Sequence, residues 1–375
     1  MSSRSFDAVI VGAGIVGTAC ALALSRAGLH VAICEAGDHV GGGATAAGMG
    51  HLAVMDDSEA QFALTSFSQR LWRELGEELP RDAEYQACGS LWIASDEEEL
   101  LTAERKHRFY GQRGIPVEML DTRQLAEAEP KLRAGLAGAL LMPADSVCYP
   151  PCAARYFAEQ ALVAGGQLLL ETRIRHVSDS GVTADDGGFL STGLTILAAG
   201  AAVQQLVTSV EIHPRKGHLL ITNRAPGFLR HQLIELGYLK SAHSLTTDSV
   251  AFNAQPRVTG QVLIGSSRQY DVLDPAIEQT MLSRMLARAL DFMPTLRNLS
   301  AIRAWTGFRA ATPDKLPLIG LCPGYDRVYL ATGHEGLGIS MSLATARLLA
   351  DEILGRDSEI DPAPYRPARS FVLHA

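Results

Sequence analysis

The chain has 375 residues, 47% hydrophobic and 20% charged, with 35 glycines and a formal net charge of −8. That is an ordinary globular composition, long enough for two lobes with real cores. The acidic balance, without any Lys/Arg run, argues against a nucleic-acid surface, and no apolar stretch approaches the roughly 18 residues that cross a bilayer.

The chain opens on Met1-Ser2-Ser3-Arg4, too brief for a secretory leader with its own apolar core, so the expected location is cytoplasmic. An apolar strand from Ala8 to Val11 then runs into Gly12-Ala13-Gly14-Ile15-Val16-Gly17. A helical run follows to Ala27, then Gly28, then a strand from Val31 to Cys34 that ends in Glu35. This strand–turn–helix–strand unit suits an adenine dinucleotide. Gly12 allows the tight turn, Gly14 lets the backbone approach a pyrophosphate, and Gly17 lets helix and strand pack closely. The helix N-terminus offers N–H groups to the phosphates. Glu35 stands 18 residues past Gly17, near the spacing of an acid that holds ribose hydroxyls. An acid at this point suits FAD or NAD better than NADP. A merely structural Gly-rich turn would leave Glu35 unexplained.

Further along, residues 58–79 have an amphipathic helical period through Phe62, Leu64, Phe67, Leu71, Leu75 and Leu79. A short strand is expected at 89–95, a charged helix at 97–113, and another at 121–129 capped by Asp121 or Thr122. Residues 151–165 read as a helix with proline near its start. Strands follow at 167–171, 174–179, 194–199, 217–222, 236–240, 249–254 and 262–265. A helix is expected at 277–292, a buried strand at 328–331 and a long helix at 338–354. The six cysteines (Cys20, Cys34, Cys88, Cys148, Cys152, Cys322) form no metal-type pair set and read as reduced thiols. Nucleotide-type strands recur near 167–200 and 328, with antiparallel-looking strands between. The expected fold is therefore α/β with two interleaved lobes. A Rossmann-type lobe takes 1–82, 143–212 and 302–375, and a substrate lobe takes 83–142 and 213–301.

A second signal lies near the C-terminus. Gly307-Phe308-Arg309 precedes Asp314-Lys315-Leu316-Pro317, and a strand then enters Gly333-His334-Glu335-Gly336-Leu337-Gly338-Ile339 before the last helix. A strand, a glycine-bounded turn and a helix N-terminus make another anion-stabilising feature.

Taken with Thr45-Ala-Ala-Gly48-Met49 and Pro214-Arg-Lys-Gly217, these pieces resemble the D-amino-acid-oxidase-type flavoprotein family. That family includes glycine oxidase, sarcosine oxidase and bacterial amine and amino-acid dehydrogenase subunits. The stretches 263–268 and 333–339 are similar to the catalytic subunit of D-hydroxyproline and proline dehydrogenase complexes. The resemblance spans the chain. It implies a Rossmann-type FAD-binding domain interleaved with an antiparallel-sheet substrate domain, of the glutathione-reductase/p-hydroxybenzoate-hydroxylase kind.

It also implies non-covalent FAD. Gly12 to Gly17 would cradle the pyrophosphate, and Glu35 with Ala36 would hold the adenosine ribose. Gly43, Ala44, Thr45, Ala47, Gly48 and Met49 would run towards the flavin, and Ile174 would meet the adenine through its backbone. Gly200, Gly307 and the stretch Gly333 to Ile339 would complete the cofactor wall. Arg309 aligns with the arginine that anchors the substrate carboxylate; the rival reading pairs Arg309 with Asp314. His51, Tyr238 (with Lys240) and Asn253 are further candidates to face substrate.

Three departures stand out. No Lys or Arg lies between Arg26 and Arg70, so backbone N–H groups must serve the phosphates. Gly336 stands where some glycine oxidases carry a second arginine, which leaves space. No Cys lies at 306–309 to link the flavin. The implied reaction is FAD-dependent dehydrogenation of a small amino acid, D-hydroxyproline- or proline-like. The alternatives are a glycine/sarcosine-type oxidase and a flavin subunit passing electrons to partner subunits that carry or share FMN or iron–sulfur groups. A non-catalytic FAD-binding subunit and an NAD-linked enzyme fit the C-terminal motifs less well.

Overall fold

The computed structural model describes residues 5–237, 248–270 and 272–369. Its first sheet grows outward from the strand Ser5–Val11. That strand lies parallel to Val31–Cys34 on one side and Phe189–Leu197 on the other. Gln167–Leu169 extends the sheet beyond Val31–Cys34, and Val328–Thr332 then Leu318–Leu321 extend it past Phe189–Leu197. The central strands read as plain apolar runs because both faces are covered. The helices Ile15–Arg26, Pro150–Val163 and Gly338–Ile353 cover one face, packed on Ile10, Ile33 and Ile196. Val9, Val11, Leu197, Val203 and Leu330 form the core on the other.

The second sheet also has eight strands, in the order Ala301–Ala311, His213–Thr222, Val262–Arg268, Ser249–Pro256, Gln232–Glu235, Ser90–Ala94, Gly138–Met142, Glu118–Leu120. It is antiparallel except where Gln232–Glu235 runs parallel to Ser90–Ala94. The helix Gln279–Phe292 packs on it, with Phe292 stacked on Phe252 at 4.7 Å. The two large sheets match the expected α/β architecture.

Local chemistry explains most boundaries. Asp121 caps Thr122–Ala128 with a full capping box, its side chain accepting from the Gln124 backbone while Gln124 accepts from the Asp121 N–H. Proline opens the helix at 150. The strand expected at 236–240 lies earlier, at Gln232–Glu235, because its partner Ser90–Ala94 ends there; residues 238–240 lie outside the described residues. The long strand Ala301–Ala311 was not expected as a strand. It hydrogen-bonds along His213–Thr222 in the second sheet, although a boundary at 302 would give it to the first lobe.

Candidate functional site

A cavity of about 1160 Å³ runs between the two sheets. That exceeds the space of ~300–1,000 Å³ that small ligands occupy, so it has room for a cofactor as well as a substrate. Every cofactor candidate named from the sequence lines it except Ala13 and Gly17. Arg309, His51 and Asn253 line it too. Tyr238 and Lys240 lie outside the described residues.

The first turn is built for close approach. Gly12 has φ +108°, and a Cβ there would stand 2.8 Å from the Ala198 carbonyl oxygen. A Cβ on Gly17 would stand 2.0 Å from the Gly12 carbonyl oxygen, so helix and turn touch backbone to backbone. Gly14 supplies no side-chain cap to the helix Ile15–Arg26. Thr45 does so from a distant loop: the Ile15 N–H donates to its Oγ1 at 3.0 Å. Glu35 accepts from the Ala13 N–H at 2.8 Å on one oxygen and from the Gly37 N–H at 2.9 Å on the other. Ala13 thus acts through Glu35, and Gly17 through packing. Ile174 lines this end of the cavity from the start of its strand.

The far end rests on the segment before the last helix. Gly333 and Gly336 have φ +80° and +86°, and between them Glu335 takes +48°, a conformation that costs a non-glycine residue. Glu335 is held there on two sides. Its N–H donates to the Ala310 carbonyl at 2.9 Å, and its carboxylate accepts from Arg215 Nη1 at 2.7 Å. Arg215 in turn stacks on Tyr270 at 4.7 Å. The helix Gly338–Ile353 has no side-chain N-cap, and its first residues line the cavity. Its N–H groups and positive dipole end suit an anionic ligand there.

Two of the three cavity histidines, His334 and His51, are held neutral by burial. Burial pushes the His334 imidazole down to about 4, and its Nε2 lies 2.9 Å from Thr345 Oγ1. Burial likewise pushes His51 down to about 4, and its Nε2 is enclosed without a hydrogen-bond partner. The His51 carbonyl accepts from Ser340 Oγ at 2.8 Å, tying it to the last helix. Asn253 is buried and donates through Nδ2 to Ser266 Oγ at 3.1 Å.

Arg309 sits beside Arg215, directly opposite it across the ladder. Its Nη1 donates to the Ser267 carbonyl at 3.1 Å. The rival pairing with Asp314 is overturned, because Arg369 holds both Asp314 oxygens, Nε to Oδ2 at 2.7 Å and Nη2 to Oδ1 at 2.9 Å. The space expected beside Gly336 is also taken: a Cβ there would stand 3.0 Å from Arg309 Cδ. The sequence reading missed Arg215, Arg268 and Lys315, which also line the cavity. For Arg215 the signal was its place in the quoted Pro214–Gly217 motif; its partnership with Glu335 needed the fold.

Comparison with known proteins agrees with this geometry. The profile described as FAD dependent oxidoreductase (DAO) matches residues 7–352. Glycine oxidase of Pseudomonas aeruginosa is 30% identical over 96% of this chain and 98% of its own. The hydrogen cyanide synthase subunit HcnC of the same organism is 28% identical over 98% of this chain and 97% of its own. The crystal structure of glycine oxidase from Geobacillus kaustophilus superposes with a TM-score of 0.89 at 26% identity, covering 99% of this chain and 100% of that one.

Proposed function

The chain belongs to the FAD dependent oxidoreductase family, and from that premise we propose that it dehydrogenates a small amino acid whose carboxylate rests on Arg309. The cavity fits FAD on three observations: glycine turns that approach backbone to backbone, two helix starts facing one chamber, and a volume beyond a small substrate's need. Gly12 to Gly17, Thr45 and Glu35 would hold the adenosine diphosphate half, with Ile174 at the adenine. Residues 43–49, Gly307 and 333–339 would enclose the flavin. When bound, FAD would supply the acceptor for a hydride from the substrate α-carbon; the amine lone pair closes the C=N bond, and loss of an N–H proton to solvent gives the imine. The FAD-holding unit in this reading is 1–82, 143–212 and 302–375, and the unit facing substrate is 83–142 and 213–301, with Ala301–Ala311 at their seam.

Arg309 carries the proposal. A planar guanidinium can grip a carboxylate with two parallel hydrogen bonds and so fix the α-carbon. His51 and His334, neutral and hard to protonate, serve as shape and hydrogen-bonding groups rather than proton stores. A neutral amine that gives up a hydride needs no strong base at carbon, so their neutrality suits the reaction. Asn253 would face the substrate from the second sheet, and Tyr238, outside the described residues, stays a candidate from the sequence.

The preferred substrate in this reading is proline- or hydroxyproline-like, on the resemblance of 263–268 and 333–339. Glycine or sarcosine oxidation is the second reading, favoured by the 30% identical glycine oxidase. The relative named as a subunit supports a third element, partner subunits that take the electrons; FMN or iron–sulfur groups on such subunits rest on the resemblance alone. The deciding experiment is anaerobic flavin reduction across D- and L-proline, the hydroxyprolines, sarcosine and glycine, followed by peroxide yield in air. Bleaching with a proline and little peroxide is the expected result. A flavin that no amino acid bleaches would overturn the proposal.

A further inference from the structure

We infer that Gly217 is a positioning residue for Arg309: the absence of a side chain at 217 creates the seat in which the guanidinium lies. The inference rests on the reading of Arg309 as carboxylate anchor. An added Cβ at 217 would stand 2.5 Å from Arg309 Nη1, 3.0 Å from Cζ and 3.0 Å from Nη2. Those three atoms are the guanidinium itself, so the head of Arg309 fills the volume that any other residue at 217 would occupy. The stem is seated in the same way on Gly336, where a Cβ would lie 3.0 Å from Cδ and 3.1 Å from Nε. Nη1 is fixed by its bond to the Ser267 carbonyl.

The ladder explains why the seat falls at 217. Arg309 is opposite Arg215, and the next residues on that face are Gly217 and Gly307, opposite each other. Side chains two apart on a strand share a face, and Arg309 runs along the sheet towards the Gly217–Gly307 pair. Gly307 is committed elsewhere, since a Cβ there would stand 2.2 Å from Ala47 Cβ. Gly217 is therefore the position that decides where the guanidinium points. It does not need glycine for its own backbone, because its φ lies outside the left-handed region that Gly336 occupies. Its nearest neighbours are the end of a flexible side chain, so a Cβ at 217 moves Arg309 without displacing backbone.

The test uses the FAD-loaded enzyme and acetate as a non-reacting carboxylate, titrated by its perturbation of the flavin absorption spectrum. Gly217→Ala, Arg309→Ala and the double variant are compared. Gly217→Ala is expected to keep its flavin and melting temperature yet bind acetate at least about tenfold more weakly, since a turned guanidinium loses its two-hydrogen-bond grip on the carboxylate. The penalty should vanish in the Arg309→Ala background, where there is no guanidinium to displace. Acetate affinity unchanged by Gly217→Ala but weakened by Arg309→Ala would overturn this inference and leave the anchor standing. An equal penalty in both backgrounds would also overturn it, assigning Gly217 another role. If Arg309→Ala itself left acetate binding intact, the anchor reading would fall, and the positioning role with it.

Discussion

Arg309 is the residue on which substrate affinity depends in the proposed reaction. Removing it leaves a bound carboxylate unpaired, and Arg309→Ala should cost about 2–5 kcal/mol of binding to a carboxylate substrate. The measurement is KM together with anaerobic substrate affinity, in a variant whose flavin content is unchanged. Gly17 has the opposite profile. With a Cβ 2.0 Å from the Gly12 carbonyl oxygen, Gly17→Ala must push the turn off the helix. It should lower both flavin occupancy and melting temperature; a yellow, stable variant would contradict the packing described. At this scale the sequence brought Glu35 to the cavity wall through spacing and Arg309 through the resemblance. It was not legible where a partner comes from far along the chain. Asp314 lies five residues from Arg309, but Arg369 holds it. The Arg215–Glu335 pair joins residues 120 positions apart.

Among the elements, the Ile15–Arg26 helix start would, in the proposed reading, take the place of the missing loop arginine at the phosphates. The Ile15–Arg26 start depends on Thr45 as its cap, so Thr45→Ala should destabilise the protein by about 1 kcal/mol, the usual cost of a lost N-cap. Chemical unfolding of the FAD-free protein reads that term alone, and flavin titration reads any further loss at the phosphates. Helices were the most legible elements, because amphipathic period and caps are local signals. The strands Ala301–Ala311 and Gly138–Met142 were not. The first is interrupted by Gly307, and its residues are mostly half-buried on both faces, so no alternation appears. The second is too short and too uniformly buried to carry a period. What makes Ala301–Ala311 a strand is ten residues of pairing with His213–Thr222, a non-local fact.

Asp145, fully buried, ties the second sheet to a helix over the first. Its carboxyl is bonded to the hydroxyl of Ser90 in the second sheet and to Gln69 Nε2, at 2.7 Å, on a helix over the first. Burial raises it from 3.8 to about 7. The folded protein therefore keeps this proton up to about pH 7, whereas the unfolded chain releases it near pH 4. Its contribution is most favourable below pH 4, shrinks by about 4 kcal/mol as pH rises to 7, and stays flat above. Asp145→Asn should flatten that part of the stability profile, as read by urea unfolding between about pH 4 and 7; an unchanged slope would remove Asp145 as its source. The interleaving has a consequence for biosynthesis. The phosphate turn is complete by Gly17, but the wall that closes the chamber ends at Ile339, 322 residues later. At about 5–20 residues per second, a ribosome needs roughly 15–65 s to supply it. Until Phe189–Leu197 is made, the strand Ser5–Val11 pairs on one edge only, with Val31–Cys34. One edge of an apolar strand therefore stays unpaired for over half of that interval, and the chamber that FAD would fill in the proposed reading is complete only near the end of synthesis.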